Sequence, residues 1–267
     1  MKIPQSPFAW PGGKRALKNT LLGLIPEHRI YVEVFAGSAK LLFAKPASER
    51  EIMNDLNGEV VNFFRVAKHR PAALAEMFDH EIVHAGRFRE LLASPEQPDE
   101  LQRALRFVYL AWYSYGSKGE HFAGSSAKGC QGNKLRRSLD RVRDLLDQTA
   151  ARLRNVLIEQ RDFAEILTRY DSAESFLYLD PPYVHFQPNG RYDALSEERR
   201  MELFELLAGL KGKFLMSFDD CSEVRQLARK HGLKTMKVAV GYSLGSSQEA
   251  RSRKAAELLL ANYTLPK

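Results

Sequence analysis

Cysteine is almost missing from this chain, with only Cys130 and Cys221 among 267 residues. The two stand far apart and have no histidine partners at metal-ligand spacing, so neither a disulfide framework nor a zinc site is supported. A reducing cytoplasm is the compartment expected. No uninterrupted apolar stretch approaches the roughly 18 residues of a membrane span. The opening Met1-Lys2-Ile3-Pro4-Gln5-Ser6-Pro7 lacks the apolar core of an export signal. Neither a membrane partner nor an obligatory protein partner is expected. The full glycine-rich dinucleotide fingerprint is also missing, because the strand-like Ile30 to Phe35 runs into Ala36-Gly37-Ser38-Ala39 with one glycine. There is no internal repeat.

Charge is present in excess of one sign. Lys plus Arg number 40 against 33 Asp plus Glu, a formal +7, which favours a polyanionic partner without identifying one. The length suits one substantial core with a smaller insertion.

The most informative stretch is Asp180-Pro181-Pro182-Tyr183. It follows the apolar run Phe176 to Leu179, which reads as a buried strand stopped by two prolines. An acid and an aromatic therefore stand at a strand's carboxyl end, where open α/β sheets do their chemistry. The prolines fix φ and remove two donors, which frees the carbonyls of Asp180 and Pro181 to face a pocket. Such a pocket suits an amino group on a flat ring: the Asp180 carboxylate and the Pro181 carbonyl accept its two N–H protons while the Tyr183 ring stacks on its face. That is the chemistry of an exocyclic amine methyltransferase. The same tetrapeptide also suits a plain rigid turn with Tyr183 in the core.

Strands are expected at Ile30 to Phe35, Glu51 to Asp55, Val156 to Glu159, Phe176 to Leu179, Lys213 to Phe218, Leu233 to Val240 and Glu257 to Tyr263. Helical patterns at Lys40 to Lys45, Gly58 to Lys68, Ser196 to Leu210 and Ser222 to His231 alternate with them. This alternation predicts an α/β fold, a doubly wound and mostly parallel seven-stranded sheet with helices on both faces. The last two strands are joined too briefly for a helical crossover and should pair antiparallel. Between the second and third strands the alternation stops. Helices are expected there at Arg87 to Ala93, Asp99 to Tyr113 and Leu135 to Leu153, with a Gly/Ser/Lys-rich loop at Ser114 to Lys134. The expected division is a catalytic domain of residues 1–70 and 155–267 and an inserted lobe of residues 71–154.

Further candidates stand at strand ends. In Phe8-Ala9-Trp10-Pro11-Gly12-Gly13-Lys14, Trp10 offers a flat face and Lys14 a charge for a carboxylate, although a Pro-Gly-Gly turn is often only a turn. Asp55 suits ribose hydroxyls, arriving about 20 residues after the Gly37 turn as in a nucleotide-binding βαβ unit. Asp162-Phe163 offers an acceptor for an adenine amino group and a ring to stack on it. Either acid alone also suits a helix cap.

The order Phe-Ala-Trp-Pro-Gly-Gly-Lys, Val-Glu-Val-Phe-Ala-Gly-Ser, Asp55, an inserted lobe, Asp162-Phe163 and Asp-Pro-Pro-Tyr resembles the Dam-type, alpha-group family of N6-adenine DNA methyltransferases. Glu257-Leu258-Leu259-Leu260-Ala261-Asn262-Tyr263 is similar to that family's closing strand. The resemblance implies a Rossmann-like methyltransferase sheet, S-adenosyl-L-methionine as donor and double-stranded DNA as partner. It implies that Trp10, Lys14, Asp55 and Asp180 bind the donor, with Phe35, Gly37, Ser38, Asp162 and Phe163 completing the pocket. Asp180, Pro181 and Tyr183 would hold a flipped adenine, and the lobe would read DNA sequence.

The lobe departs from the family pattern. Ala9 stands where GATC-methylating relatives tend to carry lysine, and the lobe has no Asn-Gly-Leu-Cys-Arg-like stretch, so a GATC target is not supported. The candidates for DNA contact are Tyr113, Tyr115, Lys118, Lys128, Lys134, Arg136 and Arg137, cations for phosphates and aromatics for base steps. A solvated basic loop is the plain alternative. The rival functions are an RNA guanine-N2 methyltransferase and a catalytically silent DNA-binding protein of the same fold.

Overall fold

Short, mostly apolar runs become strands of one sheet. The computed structural model describes residues 5–10, 12, 14, 16–94, 99–123, 139–184, 194–241 and 254–266. The elements begin with α1 (Lys18–Leu24), β1 (Ile30–Glu33), α2 (Lys40–Ala44), β2 (Arg50–Asn54) and α3 (Gly58–His69). They continue with α4 (Pro71–Asp79), α5 (Ala85–Ala93), α6 (Glu100–Tyr113), a 3-10 turn at Tyr115–Ser117 and α7 (Leu139–Leu153). Next come β3 (Val156–Glu159), α8 (Phe163–Tyr170), β4 (Ser175–Leu179) and α9 (Glu197–Ala208). The order closes with β5 (Lys213–Asp219), α10 (Ser222–Lys230), β6 (Lys234–Gly241) and β7 (Lys254–Ala261).

The sheet has seven strands in the order β3-β2-β1-β4-β5-β7-β6. β1 runs parallel to β2 and β4, and β4 parallel to β5, while β7 is antiparallel to both β5 and β6. The doubly wound, mostly parallel sheet and the antiparallel closing pair are thus as the sequence predicts. Connections go one way from β1 and the other way from β4, so the carboxyl ends of these two strands form the switch point where such sheets bind ligands. Glu33 pairs with Tyr178, and the Val34 N–H donates to the Tyr178 carbonyl at 3.0 Å. Continuing that register sets Phe35 level with Asp180.

By contact density the chain divides into two compact units. One comprises Met1–Gly13, Gly37–Ala44 and Gly58–Ile158, and the other comprises Lys14–Ala36, Lys45–Asn57 and Glu159–Lys267. The expected lobe of residues 71–154 falls within the first unit, and α3, which precedes it, is grouped there as well. Its buried Val60, Val61, Phe63, Phe64 and Ala67 form a face that packs on α6 and α7. An aromatic cluster of Phe8, Phe63, Phe64 and Phe107 fills the same unit, with ring centroids 5.2–5.8 Å apart.

In the second unit every residue of β4 is buried, as expected for an inner parallel strand covered on both faces. Leu177, Leu179, Phe214, Met216, Phe218, Leu258 and Leu260 pack with Phe163, Leu203 and Phe204 in one apolar core. Burying each such side chain stabilises the fold by about 1.5–3 kcal/mol. This core fixes the strand ends that carry the candidate residues. Three helices were not among those read from the sequence, α1, α4 and α8. Among the described residues, no helix is long and apolar enough to cross a membrane.

Candidate active site

Asp180 directly follows β4, and its carboxylate is held from two sides. Lys14 Nζ lies 2.6 Å from Oδ1, and the Ser217 hydroxyl of β5 donates to the same oxygen at 3.0 Å. Both contacts fall on Oδ1, and among the described residues Oδ2 accepts no hydrogen bond. The Lys14 side chain is buried at 7% exposure whereas Asp180 keeps 21%, so the acid is the accessible member of the pair. Its protected partner keeps it oriented as an acceptor.

Tyr183 stands three residues on. Its ring stacks on Phe218 at 5.6 Å with 16° between the planes, and its hydroxyl donates to Glu257 Oε2 at 2.8 Å. Lys14 Nζ lies 4.7 Å from the ring centroid and 3.9 Å from Glu257 Oε2. Burial first, and then the Asp180 and Glu257 carboxylates, push the Tyr183 phenol well above the ordinary tyrosine range. The hydroxyl is therefore a neutral donor at any working pH. Tyr183 is half-buried, so the plain turn-and-core reading is partly realised in the same residue that ends the motif.

The other strand ends of this unit are tied together by Asn54, the last residue of β2. Its amide donates to the carbonyls of Val34 at 2.9 Å and Arg161 at 3.0 Å, and its oxygen accepts from the Arg161 N–H at 2.9 Å. Its own carbonyl receives the Ala36 N–H at 2.9 Å. One side chain thereby fixes the residues flanking Phe35, Asp55 and Asp162. Asp55 accepts the Asn57 N–H at 2.9 Å, which sets the carboxylate's direction.

Asp162 caps α8, accepting the Ala164 N–H at 2.9 Å. The helix-cap alternative for this acid is real. Asp162 also binds Arg199 of α9 through both oxygens, at 2.6 and 2.5 Å. The Arg199 guanidinium lies 4.2 Å over the Phe163 ring, and Phe35 packs on Phe163 at 5.9 Å. Lys14, Phe35, Asp55, Asp162, Phe163, Asp180 and Tyr183 all belong to this unit.

Trp10, Gly37 and Ser38 belong to the other unit. Gly37 has φ +49°, and a Cβ there would stand 2.7 Å from Trp10 Cδ1, so both backbone conformation and close approach demand glycine. Trp10 also packs on Phe8 and Phe107, each at 5.9 Å, and Ser38 is buried with its carbonyl accepting the Ser6 hydroxyl at 2.6 Å.

Among the candidates for DNA contact, Tyr113 is corrected: it is 4% exposed and packs edge-on against Tyr109 at 4.6 Å, so its ring is core. The exposed aromatic of that stretch is Tyr115, at 61%, beside exposed Lys118. The turn presenting them is closed by the Ser114–Phe122 bridge and by the Gly119 N–H donating to Ser114 Oγ at 2.8 Å. Lys128, Lys134, Arg136 and Arg137 lie outside the described residues.

Sequence reasoning missed Asn54, Arg199, Ser217 and Glu257 as parts of the site. For Asn54, Ser217 and Glu257 the available signal was a polar residue buried in an otherwise apolar strand, since each such group must find a partner, whereas Arg199 stands on α9 and carries no such signal.

Comparison with known proteins identifies the family of the chain. A Type II methyltransferase of Lactococcus lactis subsp. cremoris is 24% identical over 282 residues, covering 98% of this chain and 97% of that protein. A DNA adenine methylase of Escherichia coli is 25% identical over 278 residues, covering 98% of this chain and 96% of that protein. A DNA adenine methylase of Vibrio cholerae is 22% identical, covering 99% and 98% respectively. The family described as D12 class N6 adenine-specific DNA methyltransferase matches residues 10–242, a span running from Trp10 through Asp180 and Tyr183. With that span covering most of the chain, the protein belongs to this family and is an adenine-specific DNA methyltransferase.

Proposed function

We propose that the protein transfers a methyl group from S-adenosyl-L-methionine to N6 of an adenine flipped out of double-stranded DNA, with Asp180 as the amine acceptor. The observation that carries this reading is the Asp180 carboxylate at the sheet's switch point. Its Oδ1 is fixed by Lys14 and Ser217, beside the half-buried Tyr183 ring. When bound, the donor would supply an electrophilic methyl on a sulfonium, whose S–CH3 bond would break as the N6–CH3 bond forms, leaving a neutral thioether.

The residues present fit that donor. Asp55 and Asp162 offer carboxylates for ribose hydroxyls and an adenine amine, and Lys14 offers an ammonium for its carboxylate. Arg199 supplies the test of fit for the adenine end. A flat group with in-plane N–H donors already sits on Phe163 and donates to Asp162, and adenine has the same two properties. Trp10, Gly37 and Ser38 are proposed for the same donor from the sequence motifs alone.

An adenine amine is a poor nucleophile because its lone pair is shared with the ring. Hydrogen bonds accepted by Asp180 and the Pro181 carbonyl favour the pyramidal, more nucleophilic geometry as transfer proceeds. Tyr183 offsets part of the few kcal/mol needed to extrude the base by stacking on it. The rest is positioning. Asp180 acts as acceptor and orienter, and the proton leaves after transfer. Tyr115 and Lys118 are proposed to meet the DNA, with Lys128, Lys134, Arg136 and Arg137 proposed from the sequence.

Calorimetric titration with S-adenosyl-L-methionine, beside Asp162→Ala and Lys14→Ala, tests the donor assignment. Measurable binding in the unaltered protein that weakens in both variants is the expected result. Equal affinity in all three proteins would remove these residues from the donor site.

A further inference from the structure

Glu257 is a charged residue in the apolar run of β7, between Ala256 and Leu258, and it is only 3% exposed. A carboxylate in such a place costs several kcal/mol of desolvation before any partner is counted, and an apolar residue of similar size is often no less stable. What it touches is therefore informative. Its Oε2 accepts the Tyr183 hydroxyl at 2.8 Å and stands 3.9 Å from Lys14 Nζ. These are the ring that follows Asp180 three residues on and the cation that holds its Oδ1.

Tyr183 is held at three separate points. Its ring face lies on Phe218 of β5 at 5.6 Å, and the next N–H, that of Val184, donates to Asp219 Oδ1 at 3.1 Å. Glu257 takes the far end of the side chain, and pairs across the sheet with the same Asp219. Stacking alone leaves a ring free to slide and tilt, whereas a hydrogen bond at its tip fixes both. We propose that Glu257 is a positioning residue for methyl transfer: its hydrogen bond to Tyr183 sets the plane on which the flipped adenine stacks, and its contact with Lys14 keeps that plane in register with the Asp180 acceptor. The inference rests on the proposed stacking role of Tyr183.

The test is a double-mutant cycle between Glu257 and Tyr183, read as the single-turnover rate of methyl transfer to unmethylated plasmid DNA, with donor affinity measured beside it. Glu257→Leu is expected to lower the rate at least tenfold and leave S-adenosyl-L-methionine affinity within threefold. Glu257→Gln, whose amide oxygen still accepts the hydroxyl, should restore most of that loss. Tyr183→Phe, which removes the same hydrogen bond from the other side, should fall as far as Glu257→Leu, and the double variant no further. Multiplying effects, or a wild-type rate in Tyr183→Phe, overturn the proposal, and the latter reading survives even where Glu257→Leu fails to fold. Tyr183→Ala separates the two layers. A wild-type rate there would remove the stacking reading itself, while a crippled Tyr183→Ala with an intact Tyr183→Phe removes only the role of Glu257.

Discussion

Arg199 binds Asp162 through both carboxylate oxygens, at 2.6 and 2.5 Å, and in doing so lays its guanidinium 4.2 Å over the neighbouring Phe163 ring. These are the acid and the ring proposed for the donor's adenine, and on that proposal ligand and side chain compete for one place. Both charged partners are about one-third exposed, at 36% and 35%, which keeps the pair weak enough to exchange. A pair of this kind is worth about 0–1 kcal/mol, so Arg199→Ala should tighten S-adenosyl-L-methionine binding by about two- to fivefold. Calorimetry reads this directly, and weaker binding in the variant would make Arg199 a ligand contact instead of a competitor.

Asn54 should prove the most damaging small substitution at the strand ends. Asn54→Ala leaves the Val34 carbonyl and the Arg161 N–H and carbonyl without their present partner. Leaving a buried group of this kind unsatisfied costs about 1–3 kcal/mol where water cannot replace the lost partner. The expected result is a lower denaturant midpoint at unchanged slope. A midpoint equal to that of the parent would show that these backbone groups find other partners.

Stability should fall in alkali. Tyr31, Tyr178 and Tyr183 are all raised well above the ordinary value of 10.0, burial being the first cause in each. The unfolded chain releases these protons near that value while the folded chain retains them. Their contribution is thus complete below pH 10 and is lost as the pH rises above it. Urea unfolding between neutral and strongly alkaline pH should show a downward slope that Tyr183→Phe makes shallower. An identical slope in the variant would mean that the Tyr183 phenol is not held protonated by the fold.

Much of this was legible in the sequence, for identifiable reasons. The strands were readable because Ile30 to Glu33, Ser175 to Leu179 and Lys213 to Asp219 are apolar runs with abrupt stops. Asp180 was readable because two prolines mark its strand end. The α3 helix was readable but its allegiance was not, since which unit a helix packs on depends on faces that meet only after folding. Tyr113 was misassigned as a DNA contact because it closes α6 just before a polar loop, and sequence does not say that its ring turns inward to Tyr109. Glu257 and Arg199 escaped notice because their partners, Tyr183 and Asp162, lie 74 and 37 residues away.

The central claim is that Asp180 accepts the amine of an adenine in duplex DNA while its methyl group is added. The most direct measurement is modified-base sequencing of plasmid DNA from a methylation-free host expressing this protein, beside the same host expressing Asp180→Ala. N6-methyladenine at one short motif, absent with the folded variant, is the result expected. Equal methylation with Asp180→Ala would contradict the assigned role of this carboxylate, and no methylated adenine with either protein would contradict the proposed transfer to duplex DNA.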